Sequence, residues 1–414
     1  MQFHLKLPGA VPSARMGRDA LMSTLAQLIA SGEAGSKADL ARATGLSRTM
    51  VEPAVTSLVE LGLVRPTGFR DSPGRGRPGD LLALSADYGL ILVADCGYAH
   101  CTLAVFDLTQ RLLASEEVEI SITDDPETRL FDLASRLLAM VERLGMSDIP
   151  RRMILGSTGF VDRVKGEVFP PARSAASSWD GYPVVDFLAG VIDGPVHLEH
   201  DVALRALGEA LTEPTSRGPL AYIKVSSGIG LAMVSPSGEL QVGADGFAGQ
   251  IAHVRVTDDL IACTCGNTGC LNAVASMLAL ADSFAIDTTS STWYNELLAL
   301  IKNQDPQAIR SVKRSGEYIG QAVVDLIHLI NPERVIIGGN LAMNSDHLLA
   351  GIRSVVYNLG LPVSTRSLTV DAPLLGANSG IVGGLAVGMI NELSAESIRR
   401  RIDARMPVEE RPAS

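Results

Sequence analysis

From residue 21 the apolar positions keep a helical period. Leu21, Leu25, Leu28 and Ile29 recur at i, i+4, i+7 and i+8, the spacing of one buried helix face. Gly32 and Gly35 end that helix, and Ser36-Lys-Ala-Asp39 supplies a capping-box-like start to a short one through Arg42. Gly45 makes a turn, and Ser47 is placed to cap a third helix carrying Val51, Val55, Leu58 and Leu61. Short helix, glycine-containing turn and second helix is the helix-turn-helix pattern. Pro53 deletes a backbone hydrogen bond inside the third helix, which predicts a kink there or a restart at Glu52. Beyond Leu63-Val64 a hairpin-like segment has the tip Ser72-Pro-Gly-Arg-Gly-Arg-Pro78 and returns through Leu81 to Leu84, which is a wing.

After Tyr88 the pattern changes to strand-like runs at Leu90–Ala94, Cys101–Phe106 and Val118–Ile122. Further strands are predicted at Arg152–Leu155, Val196–Leu198, Leu220–Val225, Leu231–Val234 and Arg334–Ile337. Between them a helix carries Leu130, Leu133, Leu137, Leu138 and Val141 on one face. Others fit Val202–Leu211, Leu271–Phe284, Pro306–Ile330 and Gly380–Leu393. Adjacent strands followed by strands alternating with helices predict an α/β architecture with open sheets. Glycine-rich corners follow three strands, at Asp95-Cys-Gly97, Ser227-Gly-Ile-Gly230 and Ile337-Gly-Gly-Asn340, where backbone amides could approach phosphate or sugar.

The 414 residues are 46% hydrophobic and 20% charged, enough for buried cores and unlike a disordered chain. No run approaches the length of a membrane span, and the first residues hold no continuous apolar stretch, so a cytoplasmic protein is expected. The net charge of −11 is unevenly spread: residues 1–80 hold ten Lys/Arg against seven Asp/Glu, a net of +3 that leaves −14 on the remainder. A mildly basic front on an acidic body excludes general coating of nucleic acid and allows one local DNA contact. The third helix would enter the major groove with Ser47, Arg48 and Thr49 at its start, while Arg75 and Arg77 on the wing suit a narrow minor groove.

Three of the five cysteines fall within eight residues. The spacing His253-x9-Cys263-x-Cys265-x4-Cys270 offers three thiolates and one imidazole, a closed tetrahedral shell for a structural Zn2+ with no position left for water. Cys96 and Cys101 lie on strand-like stretches and are expected as small core residues.

The winged helix, then Asp95-x-Gly97, then Gly249-Gln-Ile-Ala-His253 leading into Cys263-Thr-Cys265-Gly266-Asn-Thr-Gly269-Cys270-Leu271, resembles the ROK family of repressors, open reading frames and sugar kinases. The resemblance implies a two-lobed, actin-like sugar-kinase fold behind the winged helix-turn-helix, and dimers or tetramers. The corresponding divisions are 1–84 for the DNA-binding domain, 85–199 for a smaller lobe completed by a helix near 376–393, 200–375 for a larger lobe with the zinc site and dimer surface, and 394–414 for a charged tail fraying from a short helix.

The resemblance also shows what has changed. Family kinases read Asp-x-Gly-Gly-Thr at the first phosphate loop, where this chain has Asp95-Cys96-Gly97-Tyr98-Ala99. The second loop keeps Ser227-Gly228-Ile229-Gly230, and the adenosine-side Gly338-Gly339 is retained. The family's Asn-Asp pair, whose Asp is the general base, reads His200-Asp201, so Asp201 is a vestigial base. Its Gly-Glu-x-Gly-His reads with Gln250, and its Leu-Glu after the last cysteine reads Leu271-Asn272. His200, Asp201, Glu209, Gln250, His253 and Asn272 map onto sugar-facing positions. The expectation is a repressor controlled by a carbohydrate or carbohydrate-derived ligand and lacking kinase activity. A working sugar kinase and a ligand-independent DNA binder are the alternatives.

Overall fold

The computed structural model describes residues 1–8, 16–70, 79–120, 125–169, 178–212, 218–290 and 292–405. The front holds α1 (Arg18–Ala30), α2 (Lys37–Thr44) and α3 (Arg48–Glu60), then the antiparallel pair β1 (Val64–Arg70) and β2 (Gly79–Leu84). Ser36 caps α2 as its sequence predicts, accepting from the Asp39 amide at 3.2 Å, and Gly45 ends it in the left-handed region at φ +68°. Ser47 stands at the start of α3 but bonds the Thr49 hydroxyl at 2.8 Å instead of capping an amide. No restart occurs at Pro53, which α3 carries inside one helix. The tip with Arg75 and Arg77 lies outside the described residues.

The first body sheet gathers β3 (Leu90–Cys96), β4 (His100–Asp107) and β5 (Leu112–Glu119) as an antiparallel meander. After α4 (Pro126–Arg143), β6 (Arg151–Ser157) pairs parallel to β3. The short strands β7 (Phe160–Asp162), β8 (Glu167–Phe169) and β9 (Tyr182–Pro183) form a small sheet of their own, followed by α5 (Val184–Ile192). Strand β10 (Val196–His200) completes the first sheet in the order β10-β6-β3-β4-β5. Every residue of β3 is buried, as a central strand covered on both faces requires. Cys96 and Cys101 are core residues as expected, and they are also joined in a disulfide, because the β3–β4 register sets them opposite with Cα atoms 4.1 Å apart.

Helix α6 (Asp201–Thr212) leads to β11 (Leu220–Val225) and β12 (Ile229–Val234). Then come α7 (Leu271–Ala275), α8 (Met277–Ser283), α9 (Trp293–Lys302), α10 (Pro306–Ile330) and β13 (Arg334–Gly338). The described residues continue through α11 (Asn340–Asn344), α12 (Asp346–Leu359), α13 (Pro362–Thr365), β14 (Thr369–Asp371), α14 (Ser379–Glu392) and α15 (Ala395–Arg405). The second sheet has the order β12-β11-β13-β14. The single helix expected over 271–284 is two, since the Ser276 backbone turns extended and its hydroxyl caps α8 at the Ala279 amide.

Between the sheets lie α6 and α14, packed on each other through glycines. A Cβ at Gly383 would sit 1.7 Å from the Leu204 carbonyl oxygen, and one at Gly208 would sit 2.2 Å from that of Ser379. On its other side α14 sets Gly380, Gly384 and Gly388 against Asp95, Val93 and Ile91, alternate residues on one face of β3.

The front is not a tethered module. Phe3, Leu5 and Leu7 are buried, and the first eight residues run as a strap over the body. The Lys6 amide donates to the Leu211 carbonyl at the end of α6 (2.8 Å), and the Leu5 amide to Gln110 Oε1 (2.7 Å). The Gln110 side-chain amide in turn donates to the Ala30 carbonyl of α1 at 2.7 Å. The tail expected from 394 is docked rather than free as far as Arg405. Ile398 is fully buried, Arg401 is paired with Glu392 and lies over the Tyr88 ring, and Arg405 donates to the Glu60 carbonyl. Ser23 Oγ donates to the Leu393 carbonyl at 2.6 Å, closing the same interface. No single helix among the described residues is long and apolar enough to cross a membrane.

Candidate functional site

A cavity of about 910 Å3 opens between the lobes, and His200, Asp201, Gln250, His253 and Asn272 all line it. Asp201 begins α6 directly after β10, so strand end and helix start deliver its carboxylate to the cavity floor. It is 1% exposed. Its Oδ1 accepts from the Val202 amide at 2.7 Å and lies 3.1 Å from His200 Nδ1, while Oδ2 accepts from Lys224 Nζ. Burial alone would raise its pKa; the Lys224 ammonium, with His200 and Arg205, overrides that and holds the carboxyl well below the usual carboxylate range.

Lys224 was invisible to motif reading, although one signal marked it. It is the single charge in Leu220–Val225, a strand whose other residues are buried. Strand alternation sets it on the face of Leu220 and Tyr222, toward α6. Arg163 was missed as well. Its guanidinium engages both oxygens of buried Glu199 (2.9 and 2.8 Å through Nε) and donates to the Gly246 carbonyl at 2.8 Å, and Arg163 and Gly246 both line the cavity. Phe160 and Phe247 meet edge-on beside it, with ring centroids 5.9 Å apart. Arg129 stacks on Trp179 at 4.9 Å, and both line the wall.

Asn272 Oδ1 accepts from the Ile229 amide at 3.0 Å, so it braces the Ser227–Gly230 corner as well as facing the cavity. Gln250 is exposed at the cavity edge. Glu209 corrects its assignment. It is 2% exposed, does not line the cavity, and accepts from the Leu374 and Leu375 amides (2.9 Å each) and from Ser379 Oγ (2.7 Å). It fastens the turn before α14.

In the turn after β3 the Tyr98 ring meets Trp293 of α9 edge-on at 6.2 Å. Behind it Asp95 is 2% exposed and paired with Arg205 at 2.5 Å, while burial pushes its carboxyl up. At Gly338 a Cβ would lie 2.0 Å from the Tyr222 hydroxyl, so the corner after β13 is closely packed.

His253, Cys263, Cys265 and Cys270 bring one donor atom each within 4.8 Å of one another. Cys263 Sγ lies 3.6 Å from His253 Nδ1, and Cys265 Sγ lies 3.7 Å from Cys270 Sγ. Zn–S bonds of about 2.3 Å make a tetrahedral edge of roughly 3.8 Å, so the set fits a metal ion and is consistent with zinc. Backbone pairs Ala262–Thr268 and Arg255–Cys270 shape the knuckle, and the Cys263 amide donates to the Asn267 carbonyl at 2.8 Å. His253 turns Nδ1 to this cluster while lining the cavity, so one ring joins both sites.

At the front, Ser47, Arg48 and Thr49 are exposed side by side at the start of α3.

A ROK family profile matches residues 91–388. The xylose repressor of Bacillus spizizenii is 24% identical over 358 residues, covering 84% of this chain and 91% of its own. A glucokinase of Halalkalibacterium halodurans is 28% identical over 250 residues, 56% of this chain and 73% of its own. A crystal structure of a ROK family transcriptional regulator, a homologue of the E. coli Mlc protein, superposes with TM-score 0.74 at 21% identity, covering 93% of this chain and 98% of that one.

Proposed function

The chain belongs to the ROK family, and from that premise we propose that it is a sequence-specific DNA-binding repressor whose cleft senses a carbohydrate-like ligand. Its fold is the family's two-lobed one, with the winged helix-turn-helix in front. The observation that carries the reading is the pairing of an exposed recognition-helix start (Ser47, Arg48, Thr49) with a cavity whose base residue Asp201 is tied up by Lys224. A repressor and a glucokinase stand among the relatives, so the first loop decides between them. Tyr98 wedged against Trp293 supports sensing without ATP turnover.

The protein acts as a homodimer on a two-fold operator, with half-sites one helical turn or a multiple apart. Sensing requires the ligand to prefer one lobe arrangement over the other. Helix α6 offers a route: Asp201 at its start faces the cavity, and Leu211 near its end holds the strap about 15 Å away. A Zn2+ ion would be held by His253, Cys263, Cys265 and Cys270, where four protein ligands would make it structural: it would tie the knuckle together and supply no reaction step.

Selection of DNA fragments by the full-length protein, with and without sugars, tests this reading. An enriched inverted repeat is expected, and Arg48→Ala should weaken binding to it by about 1–3 kcal/mol. Replacing Arg75 and Arg77 together should weaken binding most where the flanks are A·T-rich, at matched salt. No enriched sequence would remove the repressor reading.

The kinase alternative is favoured by one observation, the retained Asp201 at the cavity floor. A coupled phosphorylation assay over a sugar panel is expected to show no turnover. Turnover that Asp201→Asn abolishes would establish a kinase instead.

A further inference from the structure

We propose that Lys224 is the specificity-determining residue of the cavity, and that with Asp201 it selects an uncharged carbohydrate through two neighbouring hydroxyls. The inference rests on the sensing reading above and names the ligand class for that site.

A lysine inside a buried strand is costly unless it is paired. Lys224 is paired, its side chain 12% exposed and its ammonium on an Asp201 side chain 2% exposed. The hydrogen-bonding capacity that remains can be counted. A carboxylate offers about four acceptor positions and an ammonium three donors. Val202 and His200 occupy Oδ1, and Lys224 occupies part of Oδ2, which leaves about one acceptor on Asp201 and two donors on Lys224. A donor set beside an acceptor is what two adjacent sugar hydroxyls need, since each hydroxyl both gives and takes a hydrogen bond.

The charge balance argues against an anionic ligand. Each of the two cations just described brings its own buried carboxylate: Lys224 has Asp201, and Arg163 has Glu199. Arg129, the third cation on the wall, lies over the Trp179 ring. A phosphate or carboxylate entering here would compete with Asp201 for Lys224 and with Glu199 for Arg163, weakening the pairing of carboxylates that are 1% and 3% exposed. A neutral polyol strands nothing, and the exposed Phe247 on the wall offers it an apolar surface.

The test is calorimetric titration of the full-length, zinc-loaded protein with D-xylose, D-glucose and neutral disaccharides. D-glucose 6-phosphate and D-glucuronate serve as charged counterparts. A neutral sugar should bind, and its charged counterparts should not. Lys224→Met should weaken that binding about 10- to 100-fold, the loss of hydrogen bonds to a charged group, with zinc content unchanged. If Lys224→Met does not fold, because Asp201 is left without its cation, Lys224→Arg carries the test. It keeps the charge, but its planar fork engages both carboxylate oxygens, so sugar binding should fall while the fold stays.

Unchanged sugar binding in a folded Lys224 variant overturns the assignment of Lys224 alone. Tighter binding of the 6-phosphate or the uronate overturns the uncharged class. If no compound binds although a DNA repeat has been selected, sugar sensing and this inference both fall while the DNA-binding reading stands.

Discussion

Gly383→Val is expected to be the most damaging single substitution in the body, costing about 4 kcal/mol or more. A Cβ there would lie 1.7 Å from the Leu204 carbonyl oxygen and 2.4 Å from its carbon, and backbone has no rotamer by which to yield. Helix α14 would have to move off α6, opening the layer that joins both sheets. On the other side Gly384 and Gly388 hold it against Val93 and Ile91, whose side chains would lie 2.3 and 2.4 Å from a Cβ at those positions, so it has little room to shift. At roughly 2–4 °C per kcal/mol for a body of this size, Tm should fall by about 10 °C or more. Gly190→Ala is the control, because a Cβ there meets nothing within 4 Å and its φ lies outside the left-handed region. That variant should melt like the parent or slightly above it. A Gly383→Val protein with the parental melting curve would refute the glycine-lined contact.

Cys265→Ser is expected to release the metal. The remaining His253, Cys263 and Cys270 make an incomplete shell, and a serine hydroxyl is a poor substitute for a thiolate. Metal binding free energy is folding free energy for such a knuckle, so a loss of several kcal/mol locally should follow. Elemental analysis should find the zinc content of the purified variant close to zero, and limited proteolysis should cut within 254–270. The damage should reach the cavity, since His253 and Thr264 line it and Gln250 immediately precedes the turn that carries His253. A full zinc complement in the variant would count against this ligand set.

Much of the architecture was legible because local signals agreed. Helix α10 matches its predicted span, Pro306 to Ile330, because Asp305 caps it, proline opens it and Asn331 closes it at φ +45°. The zinc knuckle was legible for the same reason, being close in sequence. What failed was set by distant partners. The apolar period runs unbroken through Ser276, and the helix breaks there where the Met277 amide donates to the Ser226 carbonyl fifty-one residues earlier. Glu209 looked like a cleft carboxylate; its partners Leu374, Leu375 and Ser379 lie at least 165 residues away and turn it into the core. The Cys96–Cys101 disulfide depends on hairpin register, which spacing alone does not supply. Lys224 was the more avoidable omission, because a lone charge in a buried strand is itself a signal.

The docking of the front domain also orders events during synthesis. Helix α1 leaves the ribosome early, yet Ser23 finds its acceptor at Leu393, 370 residues later, and the Glu60 carbonyl waits for Arg405. The strap waits for Leu211. At about 5–20 residues per second, the apolar side of the winged helix therefore stays uncovered for roughly 20–70 s after it is made. A nascent chain displays the recognition helix without the body that is meant to govern it, and regulation begins only when α15 closes over α1.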